Sequence, residues 1–298
     1  MRKESLDLSH QPLLSAKFRS LQVDLAEYTF ANLYLFRQLH RYEVIFGEEI
    51  IIQGYTRDGF RYIMPTFIPT QQSIPFLKEQ LEQADFLFPI PEIWMNVFYP
   101  ILSQASFKEE DSDYLFQKSK LASYPGRHLS KKRNLVKQFC SQYVVETRPL
   151  TTENKNDALA ILKRWQDEQQ AGQEETDYTA CQEAIEKLEL LGLNGGLTYA
   201  DQQPSGFFIG EPLSASCYTV HFTKALKQFK GIYQYLYQEL ANSLASPFSW
   251  INLEQDLGSS TIRQAKHSYQ PDRLAHKMRV QLFPHEARKT ASIKNIQF

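Results

Sequence analysis

The chain has 298 residues, of which 42% are hydrophobic, 13% aromatic and 22% charged. That balance excludes a disordered chain and a simple coiled coil, and the length accommodates two domains that each bury a core. Three cysteines without CxxC spacing support neither a disulfide framework nor a cysteine zinc site, and no metal site is expected.

The first half opens on helices "QPLLSAKFRSL" and "YTFANLYLFRQLH". Strands "EVIFGE", "EIIIQGYT" and "FRYIMPTF" follow, the latter pair joined by the Arg57-Asp58-Gly59 turn. Then come helix "SIPFLKEQLEQA", strand "DFLFPIP", helix "EIWMNVFYPILSQ" and a closing strand "DYLFQKS"; an initial strand is hard to place. The second half repeats the string with its first strand present, as "YVVETRPL". Helices "TTENKNDALAILKRWQDEQ" and "YTACQEAIEKLELLG" precede strands "GGLTYA", "SGFFIGEPL" and "SCYTVHFT". In "IYQYLYQELANSL" Ile232, Leu236, Leu240 and Leu244 fall four apart, as on one helix face. The short strand Trp250 to Leu253, a helix capped by Ser259 or Ser260, and a last strand "HKMRVQLF" complete the half.

The net charge of -1 hides a segregation. Residues 1 to 113 hold ten Lys/Arg against sixteen Asp/Glu, whereas 114 to 145 hold seven Lys/Arg and no acid. From Arg263 onward there are eight Lys/Arg and two acids. Two separated basic runs in an acidic setting suit an anionic partner, or are solvated helix faces. The N-terminus lacks an apolar signal region and no stretch reaches the length of a membrane span, so a cytoplasmic protein is expected.

The repeated element order is that of the GNAT acyltransferase fold. The segments "FANLYLFR" (30 to 37), "KKRNLVKQF" (131 to 139), "LGLNGGL" (191 to 197) and "INLEQDLGSSTIRQAKHSYQP" (251 to 271) resemble bacterial proteins related to the C-terminal domain of phosphatidylglycerol lysyltransferase. The resemblance implies an α/β (α+β) fold of two tandem GNAT-like halves, each a mixed, mostly antiparallel sheet flanked by helices. The expected division is residues 1–125 and residues 126–298, with the "KKRN" helix opening the second part.

From the same resemblance, an acyl donor's pyrophosphate is expected at a helix N-terminus, where backbone N–H groups and the helix dipole favour an anion. That place holds Gln228, Lys230, Gly231 and Ile232, with Tyr233 standing where the family pattern has a small residue. The donor is acyl-coenzyme A or an aminoacyl-tRNA, used as a co-substrate; no tightly bound cofactor is expected. Arg127, Lys131, Lys132, Arg133 and Lys137 are the candidate contacts to a tRNA backbone. Transfer to a small amine or hydroxyl acceptor needs a base, oxyanion donors and an acid. Glu254 or Asp256 is the expected base, Lys266 and Arg263 hold a carbonyl oxygen or donor phosphate, and Tyr269 stands where many GNAT enzymes keep a tyrosine acid. These five side chains are expected in one polar pocket at the C-terminal end of the Trp250 strand. His221, midway along "YTVHF", reads as a satisfied strand residue. A catalytically silent GNAT pair that binds RNA, a nucleotide or a protein stays open as the second reading, and the oligomeric state is not legible.

Overall fold

The computed structural model describes residues 2–169 and 171–283. In chain order its strands and helices begin with β1 (Arg2–Ser5), α1 (Gln11–Leu21), α2 (Phe30–Leu35), α3 (Arg37–His40), β2 (Glu43–Phe46), β3 (Ile50–Tyr55) and β4 (Arg61–Pro65). They continue with α4 (Ile74–Leu81), β5 (Phe86–Pro91), α5 (Met95–Phe98), β6 (Leu102–Ser106), β7 (Asp113–Gln117), α6 (Lys118–Ser123) and α7 (Ser130–Gln142). After these come β8 (Val145–Pro149), α8 (Lys155–Asp167), α9 (Tyr178–Glu186), β9 (Asn194–Ala200), β10 (Gln203–Pro212), β11 (Cys217–Ala225) and α10 (Ile232–Ser243). The last are β12 (Trp250–Asn252), α11 (Ser260–His267), β13 (Arg273–Ala275) and β14 (Lys277–Leu282).

Each half has the GNAT-like sheet, and each contains one parallel pair in an otherwise antiparallel ladder, β4 with β5 and β11 with β12. Parallel neighbours require a crossover, and α4 and α10 supply it. Local chemistry explains most elements. In α1, Leu14, Phe18 and Leu21 fall on one buried face, and in α10 Ile232, Leu236 and Leu240 do the same. Thr29 caps α2 by accepting from the Asn32 amide. Asp201 and Gln202 both take positive φ and close the β9–β10 hairpin in two residues.

The sheets are ordered β1-β2-β3-β4-β5-β14-β6 and β13-β7-β12-β11-β10-β9-β8. The closing strand of each half is therefore exchanged. β7, from the first half of the sequence, lies between β12 and β13; β14, from the chain's end, lies between β5 and β6. Strand pattern alone does not reveal this, because the four buried residues of β7 need neighbours on both edges without specifying whose. Among the described residues two compact units result: residues 2–10, 37–109 and 276–283 form one, and residues 11–36 with 110–275 the other. This division does not follow a cut between residues 125 and 126. The initial strand that was hard to place is β1, and the expected helix over residues 92 to 104 is short helical turns running into β6. Every candidate site residue belongs to the second unit.

Candidate functional site

In the second unit β11 pairs with β10 through seven residues between Tyr218 and Ala225, but with β12 only through Cys217, Tyr218 and Thr219. Beyond Thr219 the parallel contact ends. There the β10 ladder slips: Ile209 faces Phe222 while Gly210 faces Val220, so His221 is the extra residue of a β-bulge. Gly210 belongs to this irregularity, since a Cβ on it would overlap the Thr219 carbonyl. Bulges re-aim side chains and are concentrated next to active sites.

The His221 side chain is fully buried. Its Nε2 meets Glu211 Oε1 at 3.0 Å and its Nδ1 meets Glu254 Oε1 at 2.7 Å. A ring whose two nitrogens both face carboxylates must donate from both, which is the imidazolium form. Burial pulls its pKa down, but the hydrogen bonds and charges of Glu211 and Glu254 outweigh that and push it up to about 10. Asn32 Nδ2, from α2, also donates to Glu254 Oε1 at 3.1 Å. Glu254 itself holds φ +59°, with its amide bound to Asn252 Oδ1 at 2.6 Å. A non-glycine residue in this region costs on the order of 1–2 kcal/mol, so the surrounding contacts over-determine it.

Asp256 forms a different network. Arg263 grips it with two bonds, Nε to Oδ2 at 2.8 Å and Nη2 to Oδ1 at 3.0 Å. Tyr114, on the exchanged strand β7, donates to Oδ2 at 2.7 Å, and the Gly258 amide to Oδ1 at 2.9 Å. Desolvation opposes its charge, yet the Arg263, Tyr114 and Gly258 bonds together lower its pKa. Four donors occupy the lone pairs of both oxygens, which removes Asp256 as a free base. The Tyr114 hydroxyl is pushed up to about 12 by burial and by that carboxylate. Lys266 Nζ binds the carbonyls of Glu254, 3.0 Å, and Gln255, 2.5 Å. It pins the turn that presents Glu254.

Of the five residues expected in one pocket, the structure thus brings Asp256 and Arg263 together, attaches Lys266 to the backbone of Glu254, and turns the Glu254 carboxylate to His221. Tyr269 belongs to another layer. Its buried ring packs with Tyr124 and Tyr237 beneath Lys132, its hydroxyl accepts from Gln234 Nε2 at 2.8 Å, and burial raises its pKa far above the usual range. The catalytic acid role expected of it is not matched by a hydroxyl held in this way.

At the phosphate position Gly231 has φ +94° and caps α10 without a side-chain bond. A Cβ there would collide with the Leu135 carbonyl of α7, so packing as well as backbone demands glycine. Gln228 and Lys230 are exposed, Ile232 is core, and Tyr233 reaches the Ala225 carbonyl at 3.4 Å. Arg164 Nη2 donates to Gln228 at 3.3 Å. Among the basic residues, Arg133 caps the Tyr124 and Gly126 carbonyls and Lys132 donates to Ser268 at 2.6 Å. Arg127, Lys131 and Lys137 are exposed.

Sequence reasoning missed His221, Glu211, Asn32 and Tyr114. One signal was present: Asn32 is a polar residue inside the apolar "FANLYLF" helix, and it is 6% exposed.

Residues 18–280 match the family described as "Phosphatidylglycerol lysyltransferase, C-terminal". The chain belongs to that family. Its fold is shared with a conserved protein of unknown function from Bacteroides thetaiotaomicron, with TM-score 0.84 and 22% identity over 95% of this chain and 100% of that one. L-PGS from Bacillus licheniformis has TM-score 0.60 at 11% identity, covering 93% and 92% of the two chains. FemX has TM-score 0.58 at 8% identity, covering 97% and 99%. No curated protein matches the sequence. Among the described residues no helix of this family member is long and apolar enough to cross a membrane.

Proposed function

We propose that this protein is a cytoplasmic transferase whose second unit moves an acyl or aminoacyl group, from acyl-coenzyme A or an aminoacyl-tRNA, to a small amine or hydroxyl acceptor. The observation that carries the reading is Glu254: a carboxylate in a left-handed backbone conformation, aimed at the bulge where β11 loses its parallel partner. Family membership supports transfer as the reaction class.

In this reading Glu254 is the base. One of its oxygens is held by His221 and Asn32, and the other, Oε2, has no partner among the described residues. It accepts the acceptor's proton as the amine nitrogen or hydroxyl oxygen attacks the donor carbonyl. The new bond to the carbonyl carbon replaces the donor's bond to its thiol sulfur or ribose oxygen, which leaves and takes up a proton. His221 holds Glu254 in place by charge and never needs to release its own proton. The N-terminus of α10, where exposed Gln228 and Lys230 flank the buried Gly231 and Ile232, is the place this reading gives the donor phosphates. Arg127, Lys131 and Lys137 suit a tRNA backbone. Asp256, Arg263 and Lys266 shape the turn.

Thermal-shift measurements with acetyl-coenzyme A, a longer acyl-coenzyme A, and charged and uncharged tRNA test this. Stabilisation by one donor class over its unloaded form supports transfer. Equal stabilisation by charged and uncharged tRNA, with none by acyl donors, favours the silent RNA-binding reading.

A further inference from the structure

Around the His221 bulge, three oxygens are left over once the internal bonds are assigned. Glu211 is opposite Thr219 in the β10–β11 ladder, and Thr219 is opposite Asn252 in the β11–β12 ladder. Residues directly opposite across a ladder share a sheet face, so Glu211, Thr219 and Asn252 stand side by side. Through its bonds to Glu211 and Glu254, His221 lies on that face too. Both carboxylates spend Oε1 on the imidazolium, and among the described residues neither Oε2 has a partner. Their side chains keep 14% and 16% exposure, which leaves them reachable. Thr219 is fully buried and its hydroxyl has no partner among the described residues. Buried polar atoms are nearly always satisfied, so an unmet hydroxyl beside two half-used carboxylates points to a ligand.

The charge narrows the ligand's chemistry. Two carboxylates against one imidazolium leave a net negative site. An anion is repelled, and a neutral hydroxyl leaves the negative charge unbalanced. A primary ammonium has one positive charge and three N–H donors, which matches three acceptors. We infer that Glu211, Glu254 and Thr219 form an ammonium-binding subsite where the β11–β12 pairing ends, occupied by the protonated amine of a substrate. This rests on the transferase reading and deepens it. The amine is either that of the acceptor, which as an ammonium gives one proton to solvent before attack and one to Glu254 during it, or the α-amino group of an aminoacyl donor.

Binding is measured by calorimetry, and by the ring resonances of His221, with two ammonium probes and their hydroxyl counterparts: n-butylamine against 1-butanol, and L-alaninamide against L-lactamide. At least one ammonium is expected to bind about tenfold or more tightly than its hydroxyl counterpart, the loss expected for a charged hydrogen bond. Butylamine alone assigns the subsite to the acceptor, and alaninamide alone to the donor. Glu211→Gln is expected to weaken binding about tenfold. Thr219→Val guards against variants that fail to fold: it removes a hydroxyl with no internal partner, so the melting temperature holds or rises while ammonium binding falls several-fold. Hydroxyl probes that bind as well as amines, or a Thr219→Val protein that melts lower and binds amines unchanged, overturn the inference. Amine binding without transfer from any donor sinks the transferase reading and leaves the subsite. Transfer to a hydroxyl without amine binding does the reverse.

Discussion

Replacing His221 by Gln removes the imidazolium that bridges the partly buried carboxylates of Glu211 and Glu254, and the consequence depends on pH with a definite sign. The native pKa is about 10 against 6.5 in the unfolded chain. Folding therefore binds a proton, and His221 stabilises the native state most below the unfolded value. The contribution declines through the interval as the unfolded imidazole deprotonates, and is gone once pH passes the native pKa. The difference corresponds to at most ~5 kcal/mol at the acid end. Other groups, Tyr and Lys above all, also titrate at high pH. Urea unfolding of the wild type and His221→Gln at the same series of pH values cancels them in the difference. The stability gap is expected to be widest near pH ~6 and to shrink by several kcal/mol by pH ~10. A gap that stays flat across this range, or a His221 ring that titrates near neutrality, would refute the imidazolium-bridge account.

Asp256→Asn removes the carboxylate that Arg263 grips with two bonds; because Arg263 is 36% exposed, the expected loss is only ~1–2 kcal/mol in thermal melts, with no change in the pH optimum of transfer. Leu257, 44% exposed with φ +56°, is strained, so Leu257→Gly is expected to hold or raise the melting temperature where most leucine-to-glycine changes lower it. Gly231→Ala meets both a left-handed backbone and the Leu135 carbonyl; it should lower stability by ~2 kcal/mol or more in chemical denaturation. Ending the chain before Lys277 takes β14 from between β5 and β6, so limited proteolysis should then digest residues 37–109 while the second unit resists.

Period and spacing carried most of the elements, because α1, α8 and α10 bury one helical face each and their apolar residues say so. The strand exchange left no such trace. "DYLFQ" and "KMRVQL" are buried strands wherever they pair, and the partner is chosen by residues more than a hundred positions away. The stretch from Trp250 to Tyr269 reads from its sequence as a candidate site, yet its two carboxylates separate in a way the spacing does not show. A left-handed residue at 254 turns Glu254 toward His221, while Asp256 faces Arg263 and Tyr114. His221 reads as a satisfied strand residue, and it is satisfied. Its bulge depends on the register of β10, and Glu211 and Asn32 reach it from 10 and 222 positions away from their partners. Tyr269 has the spacing of a site residue and the surroundings of a core aromatic, a distinction only packing makes.

We propose Glu254 as the base for group transfer in the second unit. The direct measurement follows a labelled acyl or aminoacyl group from coenzyme A or tRNA onto an amine or hydroxyl acceptor by mass spectrometry, in the wild type and in Glu254→Gln. Glutamine keeps a carbonyl oxygen for His221 and Asn32 but accepts no proton at neutral pH. Transfer by the wild type is expected, with a loss of ~100-fold or more in the variant, whose circular dichroism is unchanged. Equal transfer by a folded Glu254→Gln protein would contradict it.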